Sequence, residues 1–241
     1  IAHLMDRNSF VQSFAGGYGV VTNGMYGQSQ WMYKEKGADL ESDPNMINYQ
    51  LNLDTANELL DKTPFTFEAD GKTPWDKAKA DEEFAKNADG FDYYRYDKDG
   101  KKLQVNQYGS DESPITTLIS NQVPVNAKQV GMEYNVTAGS FATLLDYYYY
   151  PKEDAEYTAF NMGTGFGTPF DPWYQYNSKG SNNTTKTNDP KADEITVKLR
   201  QTDPTKKDEY LDNWEAFQMW YNDYLPEIPL YSNQYLSLIH I

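Results

Sequence analysis

Residues 131–150 read GMEYNVTAGSFATLLDYYYY, and two periodicities meet inside this stretch. Met132, Tyr134 and Val136 alternate with polar or small neighbours, the two-residue period of a half-buried strand. From Gly139-Ser140 onward the period changes. Phe141, Leu144, Leu145 and Tyr148 fall at i, i+3, i+4 and i+7, which predicts a helix with a core-facing stripe. On the same wheel Tyr147 and Tyr149 flank that stripe and Tyr150 points away from it, so the four rings cannot share one task. Packing and ligand contact both remain open for Tyr149 and Tyr150.

The neighbouring segments extend the alternation. FDYYRYDKDGKKLQVNQYG (91–109) predicts two strands joined by the turn Asp97-Lys98-Asp99-Gly100. ITTLISNQVPVNAKQVG (115–131) predicts a helix in which Pro124 demands a kink or a break. TAFNMGTGFG (158–167) reads as a short strand running into a glycine-rich loop. That loop serves either as a simple connector or as a place where a ligand approaches the backbone. Its glycines lack dinucleotide-fingerprint spacing and no helix follows, which argues against phosphate binding. Strand, helix, strand, helix, strand argues for an α/β sheet rather than a sandwich.

Toward the ends, residues 1–15 place Leu4, Met5, Phe10, Val11 and Phe14 at helical spacings, closed by Gly16-Gly17. NLDTANELLDK (52–62) predicts a helix capped by Asp54, and WDKAKADEEFAKNA (75–88) a short one. Residues 177–190 form a polar loop, and KADEITVKLRQT (191–202) is amphipathic through Ile195 and Leu199. Asp203-Pro204 reads as the opening of the last helix, where Tyr210, Trp214, Phe217, Tyr221 and Tyr224 make a core stripe. Pro226 ends it, and IPLYSNQYLSLI (228–239) reads as a strand. No internal repeat and no second domain shows in the sequence.

Composition narrows the function. A net charge of −15 argues against nucleic acid and against an anionic membrane surface. With no cysteine, thiolate chemistry is excluded. With only His3 and His240, a histidine metal site or a Ser-His-Asp triad is nearly excluded. The chain carries 21 Tyr, 11 Phe and 5 Trp, amphipathic area suited to half-buried faces and binding surfaces. No convincing catalytic set is present, so a binding protein rather than an enzyme is expected, with no cofactor and no metal. Both ends fall inside element-like patterns, and the chain reads as a fragment of a longer protein.

MDRNSFV (5–11), NLDTANELLDK (52–62), DPKADEI (189–195), DPTKKDEY (203–210) and LPEIPLYSN (225–233) occur in this order. Together they resemble the extracellular solute-binding proteins of ABC importers, in the oligopeptide- and dipeptide-binding group. The resemblance implies one lobe of a type II periplasmic-binding-protein-like fold, a mixed sheet flanked by helices. Residues 1–241 would form the C-terminal lobe, with 225–241 leading back toward a missing N-terminal lobe. It further implies capture of peptides between two lobes and delivery to a membrane permease. The location would be extracellular, as a bacterial surface lipoprotein or a periplasmic protein.

The resemblance places ligand contacts on the end of the helix carrying Tyr148, Tyr149 and Tyr150, and on the loop with Asn161, Gly163, Thr164, Phe166, Asp171 and Trp173. Trp31 either lines the pocket or packs. Peptide-binding members carry an acid soon after the loop glycine, to pair with the ligand's amino terminus. Here the first acid after Gly163 is Asp171, which leaves room for another solute such as an oligosaccharide. A surface interaction or adhesion module is the expectation outside the family.

Overall fold

A computed structural model describes residues 1–15, 18–167, 169–203 and 205–233 of the chain. Gly16-Gly17, Thr168, Pro204 and residues 234–241 lie outside the described residues, so the helix stop and the proline read there go with them, and the described part of the strand read over 228–239 is strand only at Ser232–Asn233. The elements begin with α1 (Arg7–Ala15), β1 (Gly19–Val20), α2 (Trp31–Ser42), α3 (Leu53–Leu60) and α4 (Lys77–Lys86). Next come β2 (Gln104–Ser110), α5 (Pro114–Lys128), β3 (Glu133–Gly139), α6 (Phe141–Tyr149) and β4 (Ala159–Phe160). The chain continues through α7 (Trp173–Tyr176), α8 (Pro190–Gln201), α9 (Lys207–Tyr224) and β5 (Ser232–Asn233). They divide into two compact units, one of residues 1–6 and 50–163, the other of 7–49 and 164–241.

The first unit is built on a three-stranded sheet in the order β3-β2-β4. β2 pairs with both neighbours in parallel, with Gln107 opposite Val136 and Tyr108 opposite Phe160. Parallel strands need crossovers, and α5 and α6 supply them. The sheet is thus parallel rather than mixed in its described pairings. The antiparallel pair β1–β5 is a separate two-stranded ribbon in the second unit. The strand-to-helix switch read at residues 131–150 is present, with Tyr134 buried on β3 and Leu144 fully buried on α6.

α5 buries Ile115, Thr116, Ile119, Val123 and Ala127, a stripe at three- and four-residue spacing. The helix runs through Pro124 without the expected break. Burying side chains the size of Ile119 and Val123 stabilises by roughly 2 kcal/mol each, which offsets the roughly 3 kcal/mol that an interior proline costs.

Two local expectations change for identifiable reasons. Asn52, not Asp54, caps α3: its side chain accepts from the Thr55 backbone N–H at 2.9 Å, and Asp54 sits in the first turn, where a negative charge suits the helix dipole. Residues 91–95 form no strand, and the hairpin shrinks to the bridge Tyr96–Lys102. Arg95 explains this. Its buried guanidinium bonds the Val130 and Phe65 carbonyls, Asn57 and Asp61, and its ring neighbour Trp75 lies 3.9 Å away. The 97–100 turn itself stands, with Gly100 at φ +78° and the Asp97 carboxylate accepting from the Asp99 and Lys101 N–H groups.

The second unit is helical around α9. Leu211, Trp214, Phe217, Trp220 and Tyr221 are buried against Leu40, Leu199, Tyr176 and Phe170. The aromatic stripe is core as read, except that Tyr224 at its end is 47% exposed. α9 starts at Lys207, so Asp203 is not its cap but braces the preceding turn by accepting from the Thr205 N–H and hydroxyl. The helix read over 1–15 breaks into a 3-10 turn (Ala2–Leu4) and α1. Arg7 at the start of α1 is buried and ties the Tyr49, Thr22 and Pro229 carbonyls and the Asn23 side chain together.

Candidate functional site

In a parallel α/β sheet the ligand side is the edge where the strands end, because the chain turns there into helix N-termini and loops. In the first unit that edge is formed by Ser110, Gly139 and Phe160, the last residues of β2, β3 and β4. Ser140 caps α6 by accepting from the Thr143 N–H at 3.1 Å. Glycine is required at two points of this edge. A Cβ on Gly109 would lie 2.5 Å from Asn161 Oδ1, and one on Gly139 would overlap the Tyr108 hydroxyl.

The tyrosine run divides by packing. Tyr147 joins Tyr108 and Tyr157 in a three-ring cluster with centroids 4.9–5.3 Å apart. Tyr148 is half-buried edge-on against Phe160, at 5.6 Å, and against Tyr149, at 5.0 Å. Tyr149 is 45% exposed and Tyr150 79%. Phe141 is exposed, so the packed stripe runs Leu144, Tyr147, Tyr148. Phe141 is the first residue of α6, directly after its cap Ser140.

Asn161 directly follows β4. Its Oδ1 accepts from Gln107 Nε2 at 2.7 Å, and its Nδ2 donates to Thr116 Oγ1 at 3.1 Å. Gln107 is buried and accepts in turn from the Tyr134 hydroxyl at 2.7 Å. Burial pushes the Tyr134 phenol well above the ordinary tyrosine range, so it stays a proton donor. After Asn161 the chain is exposed through Gly163, Thr164 and Gly165. A Cβ on Gly163, Gly165 or Gly167 would meet nothing within 4 Å, and none of the three has a left-handed φ. Neither space nor backbone conformation calls for glycine there.

Thr164, Phe166, Asp171, Trp173 and Trp31 belong to the second unit. Phe166 packs over Gly27 and toward Phe170, with ring centroids 6.3 Å apart. Asp171 takes a forked pair of hydrogen bonds from Arg200, at 3.0 and 2.7 Å, and accepts from the Trp173 N–H at 3.2 Å. The Arg200 guanidinium lies 4.1 Å over the Trp173 ring and 4.5 Å over Tyr174. Trp31 stacks on Tyr210 at 5.6 Å, and burial pushes the Tyr210 phenol up to about 12.

Tyr148, Tyr149, Tyr150, Asn161 and Gly163 thus fall in the first unit, while of the remaining five Phe166, Asp171, Trp173 and Trp31 have packing or ion-pair partners within the second. Sequence reasoning missed Gln107, Thr116 and Tyr134. A glutamine in a strand reads as an outward residue, and the only signal was its register with Val105 on the inward face. Among the described residues no group of three or more His, Cys, Asp or Glu side chains could hold a metal ion. Among them no helix is long and apolar enough to cross a membrane.

No protein-family model matches the chain, and no curated protein matches it. Solved structures do. The oligopeptide-binding protein AppA from Bacillus subtilis, in complex with a nonapeptide, superposes with a TM-score of 0.72 at 19% identity, over 96% of this chain and 40% of AppA. NikZ from Campylobacter jejuni, in complex with Ni(L-His), gives 0.65 at 19% identity, over 96% and 40%. The ABC transporter substrate-binding protein CtaP from Listeria monocytogenes gives 0.67 at 14% identity, over 96% and 39%. The chain shares the fold of part of these substrate-binding proteins. The chain spans about two fifths of the length of the substrate-binding proteins it matches, and at these identities the likeness concerns the fold.

Proposed function

We propose that the chain is the C-terminal lobe of a two-lobed substrate-binding protein of an ABC importer, and that it captures peptides for a membrane permease. The observation that carries the reading is the loop leaving β4. It is exposed and rich in glycines that neither packing nor φ demands, and it starts at an amide fixed by hydrogen bonds. A ligand recognised through its backbone needs such features: close approach, and polar groups held at set positions. Tyr149 and Tyr150, exposed at the end of α6, add adaptable aromatic surface.

Ligand contact is assigned to Tyr149, Tyr150, Asn161 and Gly163 of the first unit, with Tyr148 packed on Tyr149 and Phe160. Asp171 is a poor anchor for a ligand ammonium, because the Arg200 fork already neutralises it. Its role is to hold Trp173 and the Arg200 stack in place. Capture works by closure, in which a ligand bridging two lobes stabilises the closed state that the permease recognises. The protein acts outside the cytoplasm, as a lipoprotein or in the periplasm, and performs no catalysis.

A second reading, capture of an oligosaccharide, is favoured by the exposed tyrosines and by the engaged state of Asp171. Titration calorimetry tests the first reading. A mixed pool of unmodified pentapeptides should bind the complete two-lobed protein in the micromolar range or tighter and this chain only very weakly, because one lobe supplies half the contacts. Tight binding by this chain alone would overturn the bridging mechanism.

A further inference from the structure

We propose that Gln107 is a positioning residue that decides which end of the Asn161 amide faces a ligand, and so selects ligands that present an acceptor oxygen such as a peptide carbonyl. The proposal rests on the reading of Asn161 as a ligand contact.

The argument follows the direction of the hydrogen bonds. The Tyr134 hydroxyl donates to Gln107 Oε1 at 2.7 Å, which turns the Gln107 amide so that Nε2 points at Asn161. Asn161 must answer with its oxygen, at 2.7 Å, and its nitrogen then lies toward Thr116. Thr116 uses one of the two Nδ2 hydrogens, leaving the second as a donor at the strand-end edge. Gly109 keeps this geometry possible, since any side chain there would strike both Asn161 and Thr116. Gln107 and Tyr134 are 2% and 5% exposed, so the relay's inner half is shielded while Asn161 stands half-exposed.

Replacing Gln107 with glutamate gives a reversible test. An ionised carboxylate has no hydrogen to give, so Asn161 must turn its nitrogen inward and present its oxygen. A neutral carboxyl can accept from Tyr134 and donate to Asn161 Oδ1, restoring the original sense. Among the described residues the titratable group bonded to position 107 is Tyr134 on β3; α6, which also packs on β2, brings Tyr147 to Tyr108 and carries the exposed Asp146, and the neighbours Thr116 on α5 and Asn161 after β4 do not titrate. Asp111 and Glu112 stand in the exposed turn after β2, and the unmodified protein carries them as its own control.

The experiment is a calorimetric titration of the complete two-lobed protein with acetylated, amidated pentaalanine, which has no titrating group, repeated from about pH 9, where even a buried glutamate ionises, down to about pH 4. N161A should weaken binding. Q107L and, at the alkaline end of the range, Q107E should each weaken it about tenfold, the scale of one hydrogen bond. Q107E should regain affinity as the pH falls while the unmodified chain and Q107L do not. Loss in N161A with Q107L and Q107E both binding normally would overturn the positioning role alone. Normal binding by N161A, or no binding by the unmodified two-lobed protein, would overturn the site reading and this proposal with it.

Discussion

At the residue scale, four adjacent tyrosines have different work because a helix turns about 100° between them. Tyr147 closes a three-ring cluster, where each aromatic pair is worth roughly 0.5–1.5 kcal/mol beyond burial. Tyr147→Ala should therefore lower stability by about 2 kcal/mol, read as a fall in the denaturant midpoint. Tyr149→Ala, at a 45% exposed site, should change stability by about 0.5 kcal/mol or less while weakening peptide capture. An unfolded Tyr149→Ala product would return the whole run to packing. Asp70 offers a pH test. Hydrogen bonds from the Thr73 hydroxyl, the Thr73 N–H and the Lys72 N–H hold its carboxyl down at about 2. The support these bonds give the 70–73 turn is present above the ordinary aspartate range and lost as pH falls through about 2. Carboxyl-detected NMR should find that midpoint, and Thr73→Val should raise it. Periodicity made the Tyr149 and Tyr150 exposures readable. It could not show Gln107 or Arg95, because a buried polar residue is specified by partners distant in the chain.

At the element scale, glycines separate fold from function. Gly109 sits against Asn161 and Thr116, so Gly109→Ala should cost about 2 kcal/mol or more. Gly163→Ala and Gly165→Ala meet open space without a left-handed φ, so thermal melts should shift little, or upward through reduced unfolded-state entropy. Weaker peptide binding by these stable variants would mark close ligand approach, and unchanged binding would make the loop a connector. Pro124 interrupts the hydrogen-bond ladder of α5 from within, so Pro124→Ala should raise the melting temperature. The strand, helix and turn order from 97 to 167 was legible because each element carries its own period or turn signal. The first hairpin strand was not, because the buried Arg95 hydrogen bonds override the strand propensity of its tyrosine neighbours. Start points slipped for a similar reason. Asn52 and Asp54 are both competent caps, and so are several residues before α9, so composition does not choose between them.

At the scale of the whole molecule, five short motifs in order pointed to the solute-binding-protein architecture, and the fold likeness over 96% of the chain agrees with that architecture. The motifs mark structural junctions: the Arg7 cluster, the α3 cap, the Asp189 cap of α8 and the turn before α9. They speak to architecture and carry little about the solute; the chain superposes both on AppA solved with a nonapeptide and on NikZ solved with Ni(L-His). Under the proposed function, solute choice falls to a few side chains at the strand-end edge, whose geometry no single motif encodes. The most direct test is therefore to purify the complete parent protein from its host and identify the released ligand by mass spectrometry. A set of peptides varied in sequence is the result expected. A glycan, a metal chelate or a reproducibly empty protein would contradict the peptide-capture reading.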